Sequence, residues 1–182
     1  MKDTARVILT TKCPRRCSYC VNEYPGVLES ARQFRFMHDM VRMAERYQVV
    51  CLTGGEPMIA MPEHATAMAF VLKHSYPNMK VYLYVSAYHS WDDMAEILKV
   101  IDGVHYTLHA SGGMEDLGKF YLFQDMARGY PGKSHRLYIH PHFLQDVTLV
   151  HGVWSRVELK PWLGPEDCCL PDNEDLYIWR DQ

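Results

Sequence analysis

The sequence predicts an α/β fold in which six parallel strands alternate with helices, arranged as an open sheet or a partial barrel. Short β-rich runs and longer amphipathic runs follow one another along most of the 182 residues. Their spacing is that of strand–helix units, which favour parallel pairing through right-handed crossovers. With 48% of residues apolar and 23% charged, the chain has enough material for one well-buried core and too little for two.

The first strand is read at Arg6–Thr11, rich in Val, Ile, Leu and Thr, and it runs into a cysteine-containing loop. Leu28–Tyr47 then carries apolar residues at helical spacing, including Phe36, Met37, Met40, Met43 and Ala44, and reads as helix. Val49–Thr53 is a strand-length apolar run closed by Gly54 and Gly55, and Glu63–His74 has helical periodicity. Lys80–Ser86 alternates Val and Leu with Tyr as a strand does. Trp91–Ile101 reads as a helix with Asp92 and Asp93 in its first turn, where acidic groups favour the helix dipole. Val104–His109 makes the fourth strand, Met114–Arg128 the fourth helix with Gly129 as its stop, and Arg136–His140 the fifth strand. Phe143–Val150 is too short and too β-branched for a fifth helix, while Val153–Lys160 reads as the sixth strand, ended by Pro161. One domain is therefore expected at 1–162, followed by a tail at 163–182.

A net charge of −3 gives no pull toward a polyanionic partner, so nucleic acid is not expected. No window approaches the apolar length of a membrane span, the N-terminus does not resemble a signal peptide, and a cytoplasmic protein is expected. In that compartment six cysteines, three of them within eight residues, point to metal or redox chemistry rather than disulfides.

Cys13-Pro14-Arg15-Arg16-Cys17-Ser18-Tyr19-Cys20 follows the first strand directly, on the edge where parallel α/β folds gather functional groups. A closed structural zinc site needs a fourth ligand that the loop does not supply at finger spacing. Three thiolates on an iron–sulfur cubane would leave one iron open. After the second strand stands Gly54-Gly55-Glu56-Pro57, where glycine permits close backbone approach to a ligand and Glu56 adds negative charge or braces the loop.

The two motifs together resemble the signatures of the radical S-adenosylmethionine (radical SAM) superfamily, over about residues 6–162. The resemblance implies a compact partial (β/α)6 barrel, with a [4Fe-4S] cluster on Cys13, Cys17 and Cys20. It further implies that S-adenosylmethionine binds the open iron, that Tyr19 lies beside the adenine, and that Gly54, Gly55 and Glu56 bind the methionine ammonium. The reduced cluster would deliver an electron to the sulfonium, giving a 5′-deoxyadenosyl radical that abstracts hydrogen, and the electron would come from a donor such as a flavodoxin or ferredoxin. Ser86, Thr107 and His109 stand where the family often has cofactor contacts. The ammonium loop is expected to be separable by mutation from the cluster.

His140, His142 and Lys160, at the ends of the fifth and sixth strands, are candidate substrate ligands, Lys160 for an anionic group. Cys51 reads as a buried small hydrophobe, and Cys168-Cys169 as an incidental pair of thiols. Among substrates, a small molecule is favoured, since the chain is similar in its bareness to the 7-carboxy-7-deazaguanine synthases, although Val21 replaces their polar residue tied to magnesium. Asn22 is similar to the residue at that place in glycyl-radical activases, which leaves a partner protein as the alternative. A metal-binding module without catalysis is the third reading.

Overall fold

The computed structural model of the chain describes residues 2–162 and 172–179. Eight strands are present among them: β1 (Thr4–Thr10), β2 (Arg32–Phe34), β3 (Val49–Gly54), β4 (Lys80–Val85), β5 (Gly103–Leu108), β6 (His135–Ile139), β7 (Trp154–Leu159) and β8 (Glu174–Trp179). They form one sheet in the order β2-β8-β1-β3-β4-β5-β6-β7, every pairing parallel. The ends β2 and β7 do not pair, so the sheet is open, in keeping with a partial barrel. The helices are α1 (Val27–Ser30), α2 (Phe36–Arg46), α3 (Pro57–Ala60), α4 (Pro62–Ser75), α5 (Trp91–Val100) and α6 (Met114–Arg128). None of them is long and apolar enough to cross a membrane.

The strands expected from the sequence all appear, with ends shifted by one or two residues. Two more were hidden. The long helix expected at Leu28–Tyr47 is interrupted by β2, because Arg32, Gln33 and Phe34 find partners in Tyr177, Ile178 and Trp179 of β8. Strand β8 itself falls within the expected tail. Its leading Glu174 and Asp175 disguise a strand, since acidic residues are depleted in sheets, but here both are partnered. Glu174 Oε2 accepts from Arg6 Nε at 2.6 Å, and Asp175 Oδ2 accepts from the Tyr47 hydroxyl at 2.5 Å and from Arg46 at 2.7 Å. Cys168 and Cys169 lie outside the described residues.

The two faces of the sheet differ. In β4, Val81, Leu83 and Val85 are buried while Tyr82 and Tyr84 are half-buried, and in β6 Leu137 and Ile139 are buried while Arg136 and Tyr138 are not. The buried set belongs to one core with Ala65, Met68, Ala69 and Leu72 of α4 and with Met94, Ile97 and Leu98 of α5. Their spacing is that of one helix face, and burying each large aliphatic side chain contributes about 1.5–3 kcal/mol. Helix α5 begins where the Ser90 hydroxyl accepts from the Asp93 N–H at 3.2 Å, an N-cap with Asp92 and Asp93 in the first turn as expected. The opposite face, carrying Tyr84, Thr107, Arg136 and Tyr138, lines the cleft described next.

Candidate functional site

At the end of β1 the register against β3 slips between Ile8 and Thr10, a bulge that redirects the chain into the cysteine loop. This loop is stitched to the Gly-Gly-Glu loop after β3. The Gly55 N–H donates to the Thr10 carbonyl at 2.6 Å, and the Glu56 N–H to the Lys12 carbonyl at 2.9 Å. A Cβ on Gly54 would stand 2.3 Å from the Thr10 carbonyl oxygen, and one on Gly55 would stand 2.2 Å from that of Lys12. Gly54 also has φ +130°, a conformation L side chains rarely adopt. The glycines are therefore required by contact between the two loops. The expectation that the second motif can be altered without touching the first meets, at Gly54 and Gly55, a backbone contact with the chain that leads into the cysteine loop.

Glu56 is 1% exposed and braces the strand ends. Its Oε2 accepts from the Ser86 N–H (3.0 Å), the Ser86 hydroxyl (2.6 Å) and the Ala87 N–H (3.1 Å), while Oε1 is buried without a partner. Burial pushes the carboxyl up to about 7 against the opposing pull of those hydrogen bonds and of Arg15. Ser86 is thus joined to Glu56, and it is joined to the cysteine loop as well. Arg15 donates to the Ser86 hydroxyl (3.1 Å), to its carbonyl (3.0 Å) and to both carboxylate oxygens of Asp116 in the first turn of α6. Sequence reasoning passed over Arg15 and Asp116. Arg15 sits between two cysteines and reads as loop solvation, and its partner lies far along the chain.

Tyr19 is buried and does not face solvent. Its hydroxyl meets His109 Nδ1 at 2.9 Å, and its ring stacks on His109 and on Trp162, with centroids 5.7 and 5.6 Å apart. Burial pushes the His109 imidazole down to about 4, with Arg15 adding to the effect, so it is neutral near pH 7. Trp162, which is not among the expected site residues, has φ +35°, an uncommon conformation for a non-glycine residue. The aromatic stack ties the cysteine loop to the ends of β5 and β7.

Above the sheet these groups border a cleft of about 370 Å³, lined by Gly54, Gly55, Glu56, Ser86, Thr107 and His109 and continuing to Lys160 and Trp162. Six of the expected cofactor positions thus share one cavity. Lys160 reaches it too, but its ammonium lies 3.4 Å from Glu158. His140 and His142 are not among the lining residues. His140 Nδ1 instead accepts from the His142 N–H at 3.2 Å, capping the short 3-10 turn Pro141–Phe143 that follows β6. Cys51 is buried, as expected.

Cys13 is exposed, and Cys17 and Cys20 are half-buried, the latter two closing one turn through the Cys20 N–H to Cys17 carbonyl bond of 3.0 Å. Burial pushes the Cys13 and Cys20 thiols up, and the charge of Cys17 adds to it in both. A bound cation reverses that balance, since a coordinating thiol is deprotonated. In this arrangement, among the described residues, no three His, Cys, Asp or Glu side chains converge closely enough to hold a metal ion. Three sulfur donors on one accessible loop nevertheless fit the soft-ligand chemistry of an iron–sulfur cluster. No curated protein matches the chain. A family model described as the radical SAM superfamily matches residues 7–131, more than half of the chain.

Proposed function

The chain belongs to the radical SAM superfamily, and on that premise we propose that it is an enzyme that cleaves S-adenosylmethionine reductively to abstract hydrogen from a small-molecule substrate. Cys13, Cys17 and Cys20 would hold the [4Fe-4S] cluster. The cluster and S-adenosylmethionine together supply an electron and a carbon-centred radical, chemistry no side chain of the protein offers.

The observation that carries this reading is the seam between the two loops. Gly55 and Glu56 donate backbone N–H groups to Thr10 and Lys12, so a cofactor gripped by the Gly-Gly-Glu loop would lie near the cysteine loop. Glu56 keeps Oε1 unpaired in the buried wall, an acceptor suited to an ammonium. Ser86, Thr107 and His109 add polar groups around the same cavity. His109, neutral and hydrogen-bonded to Tyr19, is suited to positioning rather than to carrying charge. A small-molecule substrate is supported by the continuation of this cleft past the cofactor positions to Tyr138, Glu158 and Lys160, since ligand sites favour such concave, partly polar walls.

The test is anaerobic reconstitution with iron and sulfide, reduction with dithionite and addition of S-adenosylmethionine. About four irons per chain and formation of 5′-deoxyadenosine are expected, both lost in Cys17→Ala. Stoichiometric zinc after anaerobic purification, with no cluster on reconstitution, would establish a structural metal site instead.

A further inference from the structure

The strand register arranges the cleft in tiers. Thr107, Tyr138 and Glu158 are aligned partners across β5, β6 and β7. One tier deeper lie Tyr84, His105, Arg136 and Arg156, aligned across β4 to β7. Arg136 therefore stands on the cleft floor, below the level of Thr107 and further still below the strand-end Lys160.

The charges that line this cleft are nearly all matched. Glu56 is held by Ser86 and Ala87, Glu174 by Arg6 at 2.6 Å, and Glu158 by Arg156 at 2.6 Å and Lys160 at 3.4 Å. Arg136 is the exception. Among the described residues it has no hydrogen bond or ion pair, and its aligned neighbour on β7 is another arginine. Beside it His105 is 4% exposed, set between the Tyr84 and Tyr138 rings at 4.4 and 6.1 Å, with neither ring nitrogen partnered. A half-buried guanidinium with no ion-pair partner is costly until an anion meets it.

We propose that Arg136 is the anchor for an anionic group, carboxylate or phosphate, of the substrate that enters this cleft. The inference rests on the reading of the cleft as a substrate site and transfers the anion-binding role from Lys160 to Arg136. The planar fork of arginine suits bidentate recognition of either group. Lys160 is engaged by Glu158 at the rim, whereas Arg136 has its full donor set free at the floor.

The experiment titrates the full chain with inorganic phosphate in one arm and malonate in the other, by calorimetry at constant ionic strength. Saturable binding of at least one anion is expected, phosphate alone marking a phosphorylated substrate and malonate alone a carboxylate. Arg136→Gln should weaken it by about tenfold or more, the loss expected of a hydrogen bond to a charged group. Arg136→Lys, which keeps the charge and serves also if the glutamine variant fails to fold, should recover part of the affinity. Saturating S-adenosylmethionine should leave wild-type anion affinity within about twofold, given separate sites. Absence of saturable binding, equal affinity in Arg136→Gln, full wild-type loss in Arg136→Lys, or displacement by S-adenosylmethionine would each overturn the assignment. Formation of 5′-deoxyadenosine by reconstituted wild type is measured separately, so failure of the anion site is distinguishable from failure of the enzymatic reading.

Discussion

A side chain on Gly55 would collide with Lys12, whose carbonyl oxygen lies 2.2 Å from the position its Cβ would take. The obstacle is backbone, which cannot rotate aside as a long side chain can. Gly55→Ala is therefore expected to move the cysteine loop as well as the ammonium loop. After anaerobic reconstitution the variant should hold less than half the wild-type iron and lose S-adenosylmethionine binding with it. Full iron content with selective loss of S-adenosylmethionine would restore the view that the motifs are independent.

Glu56 gives a second test of the same seam. Replacing it by Ala leaves the Ser86 and Ala87 N–H groups buried without their acceptor, at about 1–3 kcal/mol for each unsatisfied group. Glu56→Gln retains a carbonyl oxygen for them and should cost distinctly less. Chemical denaturation of the three proteins without cofactors should rank them wild type, Gln, Ala in falling stability. An Ala variant as stable as wild type would show that the carboxylate does not brace β3 to β4.

Much of this was legible in the sequence because local pattern and global fold agree. Val81, Leu83 and Val85 alternate with Tyr82 and Tyr84 as the two faces of β4 require, and the glycines after β3 mark the turn that the fold needs. What stayed hidden depends on partners distant in the chain. Strand β2 is three residues long and exists through β8, and β8 begins with two acids stabilised by Arg6, Arg46 and Tyr47. Arg15 gives no sequence signal of its clamp, since Ser86 and Asp116 become its partners only on folding. His140 and His142 were placed correctly at a strand end but not in the cleft, because Pro141 starts a turn that consumes the His140 acceptor.

Gly118 offers a stabilising change away from the site. It lies exposed inside α6, and a Cβ there would meet nothing within 4 Å. Alanine reduces the backbone entropy lost on folding and is favoured over glycine in a helix interior by about 1 kcal/mol. Gly118→Ala should raise the thermal midpoint by a few degrees, about 2–4 °C for a chain of this size. An unchanged or lowered midpoint would mean that α6 tolerates glycine for a reason other than open space.

The last prediction concerns acid stability and follows from His105. Burial, reinforced by the charges of Arg136 and Arg6, pushes this imidazole down to about 3, whereas in the unfolded chain it titrates near its ordinary value of about 6.5. Between those two values the unfolded state binds a proton that the folded state refuses, so stability falls as pH falls. The slope from one such group approaches about 1.4 kcal/mol per pH unit, and it begins well above the carboxylate range. His135, also buried and pushed down to about 4, acts in the same direction, while Glu56, raised to about 7, opposes. The difference between two proteins isolates the single group. Denaturation of wild type and His105→Phe at pH 7, 6 and 5, without cofactors, should show the variant losing less stability on acidification, by about 1 kcal/mol per unit below pH 6. Parallel pH profiles would mean that His105 is solvated or paired in the folded protein, and that it does not lie dry beneath the floor of the cleft.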